Sequence, residues 1–211
     1  MSGLRPFSIR LFLPDGAPDG LRLVERSNWT GCGVVCPRAL FPQAKGRPEF
    51  ARTGVYVLVG PSEAADLPSI YVGEGDPVLP RLEDHQRNKD FWTWLIVFVA
   101  KDINLNKAHV QYLEARLIEL AREARRSRLE NNNKPQRPAL SESDAADAES
   151  FLEDMLGIYP LVGLSAFERP VVEDQKYCSC PPLPTLSGET NVKLCTEPWF
   201  HENETGRPLT L

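Results

Sequence analysis

The clearest hydrophobic pattern lies in the middle of the chain. Trp94–Ala100 is uninterrupted apolar sequence, the pattern of a central strand covered on both faces. Gly54–Val59 and Ser69–Val72 are shorter β-rich runs joined by the polar loop Pro61–Pro68, which predicts an antiparallel pair. Asp76-Pro77 carries the signature of a helix start, an N-cap acid followed by proline, and a short helix is predicted from there to about Arg87. Lys107–Arg128 repeats apolar residues at helical spacing, and Asn131–Pro138 stops it. Ser143–Leu156 predicts a more acidic outer helix. Upstream, Ile9–Leu13 and Leu21–Val24 alternate around two turn signals and predict a β-hairpin. Asn28–Gly33 and Pro37–Pro48 are turn-rich and predict irregular chain.

This order divides the chain into three stretches. Residues 1–50 form a β-rich extension, residues 51–168 a β-β-α-β-α block with an outer helix, and residues 169–211 an irregular or disordered tail. The fold class expected is α+β: a small central sheet with antiparallel or mixed pairing, flanked by helices and extended by the N-terminal hairpin.

The chain of 211 residues has a formal net charge of −5, which at first opposes a nucleic-acid partner. The excess is local. Residues 141–211 hold thirteen acids and four bases, whereas residues 1–140 are slightly basic. The first two thirds can therefore approach a phosphate backbone. The N-terminus has no signal-peptide pattern and no apolar run reaches membrane-spanning length, so a cytoplasmic location without membrane contact is expected. The odd count of five cysteines (Cys32, Cys36, Cys178, Cys180, Cys195) favours free thiols, with a zinc site as the minor alternative.

The candidate chemistry starts on the long helix. At ~100° per residue, Leu113, Leu117, Leu120 and Ala121 share one face, and Glu114 falls inside it. An inward carboxylate is costly unless a metal, a cation or cleft solvent compensates it. On the short helix, Arg81 and His85 lie one turn apart and share a face. A guanidinium suits phosphate and an imidazole can move a proton; a solvated polar face is the simpler alternative. Tyr56 and Tyr71 sit in the two paired runs, where their phenols either meet at one patch or serve packing.

Taken in order, Gly54-Val55-Tyr56, Tyr71-Val72-Gly73, Arg81, His85 and Glu114 resemble the GIY-YIG nuclease superfamily over about residues 52–138. Valine stands for isoleucine in both triplets, and Tyr112–Ile118 is similar to the family's metal-site helix. The resemblance implies a metal-dependent endonuclease that hydrolyses phosphodiesters in DNA from one active site. By that resemblance Glu114 would hold one Mg²⁺ or Mn²⁺ ion. Tyr56 would activate or orient the attacking water beside Tyr71, Arg81 would neutralise charge on the phosphoryl oxygens, and His85 would assist proton transfer or phosphate contact. An asparagine after the metal-site helix would support the site. Asn131, Asn132 and Asn133 compete for that position, Asn131 first.

Against these expectations, Glu74 and Asp76 stand where a basic residue is expected near the second tyrosine, and the preceding loop adds Glu63 and Asp66. The alternative is a nucleic-acid-binding module of the same fold without turnover. Two features remain open between partner and structure. Arg116, Arg122, Arg125, Arg126 and Arg128 either track a backbone or solvate a helix end, and Trp92 and Trp94 either stack on bases or pack in the core.

Overall fold

The computed structural model describes residues 6–61, 67–102, 105–132 and 135–168. Glu63, Asp66, Asn133, Cys178, Cys180, Cys195 and the tail expected over 169–211 lie outside the described residues. The protein is α+β, built on one seven-stranded mixed sheet with four helices among the described residues.

The strands are β1 (Ile9–Phe12), β2 (Arg22–Arg26), β3 (Gly31–Pro37), β4 (Gly54–Gly60), β5 (Ser69–Gly75), β6 (Trp94–Ala100) and β7 (Arg128–Leu129). Across the sheet they run β1-β2-β3-β6-β4-β5-β7. Every pairing is antiparallel except β5 with β7, which is parallel. The helices are α1 (Phe41–Ala44), α2 (Leu79–Asn88), α3 (Lys107–Ala124) and α4 (Glu142–Ile158). The predicted hairpin forms as β1–β2 and continues the sheet through β3.

Both faces of the sheet are covered. Val55, Val57, Ile70, Val72, Ile96 and Phe98 point to the side packed by Leu113 and Leu117 of α3 and Leu152 and Met155 of α4. Tyr56, Leu58, Val97 and Val99 point to the other side, against Leu82 of α2 with Phe41 and Phe50. β6 is buried along its whole length except Trp94, as its unbroken apolar run predicts.

Three expectations are corrected. The irregular chain expected over Asn28–Gly33 becomes strand from Gly31 onward. The glycines there are packing platforms: a side chain on Gly31 would collide with the Trp29 ring, and one on Gly33 would lie 2.8 Å from the Phe98 ring. The short helix starts at Leu79 with Val78 as N-cap, not at Asp76. The Asp76 carboxylate instead accepts from the Thr53 hydroxyl across the chain ends of β4 and β5. The long helix ends at Ala124 rather than Arg128, because Arg125 takes a left-handed conformation at φ 53°. The following residues then pair with β5 as β7. The outer helix is capped by Ser141, whose hydroxyl accepts from the Asp144 amide.

Candidate active site

The site gathers at the edge of β5. In the β4–β5 ladder Tyr56 stands opposite Gly73, and Leu58 opposite Tyr71. Tyr56 and Tyr71 are therefore diagonal neighbours on one face, the face covered by α2. Gly73 has a specific reason to be glycine. A β-carbon there would occupy the space of the Tyr56 ring and hydroxyl, so the phenol crosses the neighbouring strand only because Gly73 has no side chain.

Helix α2 is anchored on this face by the fully buried Leu82 and Val78, and that places His85 between the two tyrosines. His85 Nε2 lies 2.8 Å from the Tyr56 hydroxyl. The imidazole also meets the Tyr71 ring edge-on, with centroids 4.9 Å apart. Burial, and secondarily the Lys89 charge, push the imidazole down to about 4. The ring is thus neutral at neutral pH and carries one N–H. Its Nδ1 is buried without a hydrogen-bond partner among the described residues. Tyr56 is 1% exposed. Burial, then Tyr71, raises its phenol well above the ordinary value of 10. Tyr71 is half-buried and raised in the same direction, by burial first and Glu114 second.

Glu114 reaches the same edge from α3. It lines a cleft of about 450 Å³ together with Tyr71, Lys89, Asn131 and Asn132. It makes no hydrogen bond or ion pair with any described residue. Burial, then the neighbouring Glu74, push its carboxyl up to about 7, while Arg81 and Lys107 pull it down. Arg81 is exposed one turn before His85, and its charge opposes the upward shifts of Tyr56, Tyr71 and Glu114 alike. Asn131 spends its amide on the strand. Its Oδ1 accepts from the Val72 N–H at 2.9 Å and its Nδ2 donates to the Val72 carbonyl at 2.8 Å. It extends the β5–β7 pairing by a side chain, fixing the backbone next to Tyr71. All six residues singled out in the sequence thus surround one region: Tyr71, Glu114 and Asn131 line the cleft, Tyr56 and His85 lie behind Tyr71, and Arg81 stands on the solvent side of α2.

Two lysines were missed. Lys107 binds the carboxylate of Glu74 with Nζ at 2.7 and 2.5 Å from its two oxygens. Glu74 is 8% exposed, so this pairing compensates the acid that stands where the sequence pattern expects a base. Lys89 places Nζ 4.4 Å from the centre of the Tyr71 ring. The signals were in the spacing. Lys107 lies seven residues before Glu114, on the same helix face, and Lys89 lies four after His85.

The donor set bears on which metal fits. Among the described residues no group of three or more His, Cys, Asp or Glu is arranged to hold an ion. A zinc-type cage is therefore lacking there. Cys32 and Cys36 are buried free thiols, raised to about 11 and about 12 chiefly by burial. The Glu114 carboxylate, unpaired among the described residues on an open cleft that Glu130 also lines, suits a hard cation that keeps most of its waters, as Mg²⁺ does.

The remaining partner candidates divide. Arg116 is spent on Glu149 and Glu119, Arg126 on Glu168 and Arg128 on Glu130, while Arg122 and Arg125 are exposed. Trp92 is core, 1% exposed beneath the Arg38 guanidinium, and Trp94 packs against the core. No helix among the described residues is long and apolar enough to cross a membrane. Compared with known proteins, the chain matches no family model, no curated protein and no solved structure.

Proposed function

We propose that the protein is a metal-dependent endonuclease of the GIY-YIG type that hydrolyses DNA phosphodiesters at the β5 edge. One observation carries the reading. An unpaired carboxylate raised to about 7 and a half-buried phenol line one open cleft, with Arg81 close enough to act on both. The order β4-β5-α2-β6-α3 supports it as the β-β-α-β-α core that the resemblance implies.

Glu114 would hold a single Mg²⁺ or Mn²⁺ ion. When bound, such an ion supplies Lewis-acid stabilisation of charge on the phosphate and the leaving oxygen. The chain's own residues do the rest. Arg81 makes no ion pair with any described residue and offers its guanidinium to the phosphoryl oxygens. Tyr71 is the phenol that faces the cleft, so orienting the attacking water falls to it rather than to Tyr56, which has almost no exposed surface. Tyr56 and His85 act as a positioning pair behind it. Their 2.8 Å contact and the edge-on stacking of His85 fix the angle of the Tyr71 ring. Asn131 fixes the strand from the other side.

The test is cleavage of supercoiled plasmid and of DNA and RNA oligonucleotide panels with Mg²⁺ or with EDTA. The expected result is metal-dependent cleavage of DNA that falls at least ~100-fold in Glu114→Gln, the scale of losing charge stabilisation in a transition state. Absence of metal-dependent cleavage by the wild type on every panel ends the enzyme reading. The burial of Tyr56 favours a second reading, a binding module without turnover. That reading takes over if the wild type cuts nothing while it and Glu114→Gln bind DNA with equal salt dependence.

A further inference from the structure

We propose that Lys89 is a phosphate-binding residue of the cleft, contacting the backbone of the nucleic-acid strand. The assignment rests on the nucleic-acid reading given above and adds a residue to it. The first observation is charge without a counter-ion. Lys89 is half-buried, lines the cleft with Tyr71 and Glu114, and makes no ion pair with any described residue. Its ammonium lies over the face of the Tyr71 ring. The neighbouring acids are committed elsewhere. Glu83 pairs with Lys45, Asp84 accepts from the Asn88 amide, Asp90 pairs with Arg38, and Glu130, which lines the same cleft, pairs with Arg128. Glu114 lines the same cleft and is also unpaired, so a cation and an anion share one open volume without joining. A phosphodiester accompanied by its own counter-cation satisfies both.

The second observation is rigidity. Lys89 closes α2, its amide donating to the His85 carbonyl at 3.0 Å. The chain around it is pinned from the core side. Arg38 donates to the Gln86 carbonyl at 3.1 Å and to Asp90 at 2.8 Å, and the Trp92 indole donates to the His85 carbonyl at 3.5 Å. The base of the lysine is therefore fixed before any ligand arrives, which lowers the ordering cost of binding. The third observation is alignment. Arg81 and His85 lie one turn apart on α2, about 6 Å along its axis, and Lys89 follows as the residue that caps the helix end. His85 and Lys89 both meet the Tyr71 ring, and Lys89 lines the cleft.

The experiment measures binding of a fluorescent DNA oligonucleotide, single-stranded and duplex, by anisotropy in EDTA across a salt titration. Lys89→Met is expected to weaken binding several-fold at low salt. It should also flatten the slope of log K against log[salt] by about 0.7–0.9, one phosphate contact. Lys89→Arg keeps both affinity and slope. A role limited to packing on Tyr71 would change the unfolding midpoint of Lys89→Met and leave the slope alone. A slope equal to that of the wild type in a folded Lys89→Met overturns the assignment. If the wild type binds with salt dependence but never cleaves in Mg²⁺, the enzyme reading fails and the Lys89 contact stands on its slope. If the wild type binds no nucleic acid, both fall.

Discussion

Replacing Glu114 with glutamine should make the protein more stable while removing the proposed metal-dependent cleavage. The glutamine keeps the volume and shape of the side chain and deletes only the charge. In the folded protein the carboxyl is raised from its ordinary 4.5 to about 7, chiefly by burial and then by Glu74. A raised acid binds its proton more tightly in the folded state than in the unfolded chain. Folding stability is therefore intact below about pH 4.5 and declines as pH rises to about 7, after which the loss is constant. At pH 8 the ceiling on that loss is about 3 kcal/mol. Glu114 is only half-buried, so solvent screens part of it, and a working figure is about 1–2 kcal/mol. For a chain of this size that corresponds to a rise of roughly 2–8 °C in Tm for Glu114→Gln at pH 8. Urea or thermal unfolding of both proteins at half-unit steps from pH 4 to 8 measures it. Every other titrating group is shared, so the difference between the two curves isolates this carboxyl. The gap should open between pH 4.5 and 7 and then hold. Added Mg²⁺ should close it from the wild-type side above pH 7, by about 2.7 kcal/mol at a hundred times its Kd, and leave Glu114→Gln unmoved. Parallel curves across the whole range, or a destabilised Glu114→Gln at pH 8, would refute the account of an uncompensated carboxylate.

Gly73→Ala should destabilise by about 1–3 kcal/mol in urea unfolding, because the new methyl group meets the Tyr56 phenol in a packed core. Stability equal to the wild type would show that Tyr56 does not cross Gly73 as described. Lys107→Met should cost about 1–3 kcal/mol by leaving the buried Glu74 unpaired, and Lys107→Met with Glu74→Gln should recover most of it. No recovery in the double variant would mean that the pairing is incidental. Asn131→Ala should cost about 1–3 kcal/mol and speed hydrogen exchange at the Val72 amide, which loses its acceptor. An unchanged exchange rate would remove Asn131 from its bracing role.

The parts of the fold that were legible in the sequence are those where one local pattern coincides with one environment. Trp94–Ala100 was readable as a central strand because both its faces are covered, so no polar position interrupts it. Glu114 was readable as inward because its helix buries a single stripe. What escaped depends on partners distant in the chain. Gly31 and Gly33 look like turn residues, yet they serve as flat ground for Trp29 and Phe98. Strand β7 is two residues long and exists because β5 offers an edge, something no helical periodicity around Arg128 reveals. Asp76 has the composition of an N-cap, but Thr53 takes its carboxylate and the helix begins later.

The same distinction governs the charge around the site. In the sequence, Glu74 and Asp76 follow the second tyrosine and argue against a phosphate ligand. In three dimensions each acid is already committed, Glu74 to Lys107 and Asp76 to the Thr53 hydroxyl. Among the described residues, Glu114 is the cleft acid that has no hydrogen bond or ion pair, and Arg81 and Lys89 are cations with no ion pair. A net charge counts all of these equally, although a paired acid projects little field into the cleft. The balance that a ligand meets among the described residues is therefore the unpaired Glu114 facing Arg81 and Lys89, with Glu130 on the same cleft held by Arg128. The proposed ligand matches it: a phosphodiester backbone offers anionic oxygens to the two cations, and its accompanying metal cation would meet Glu114.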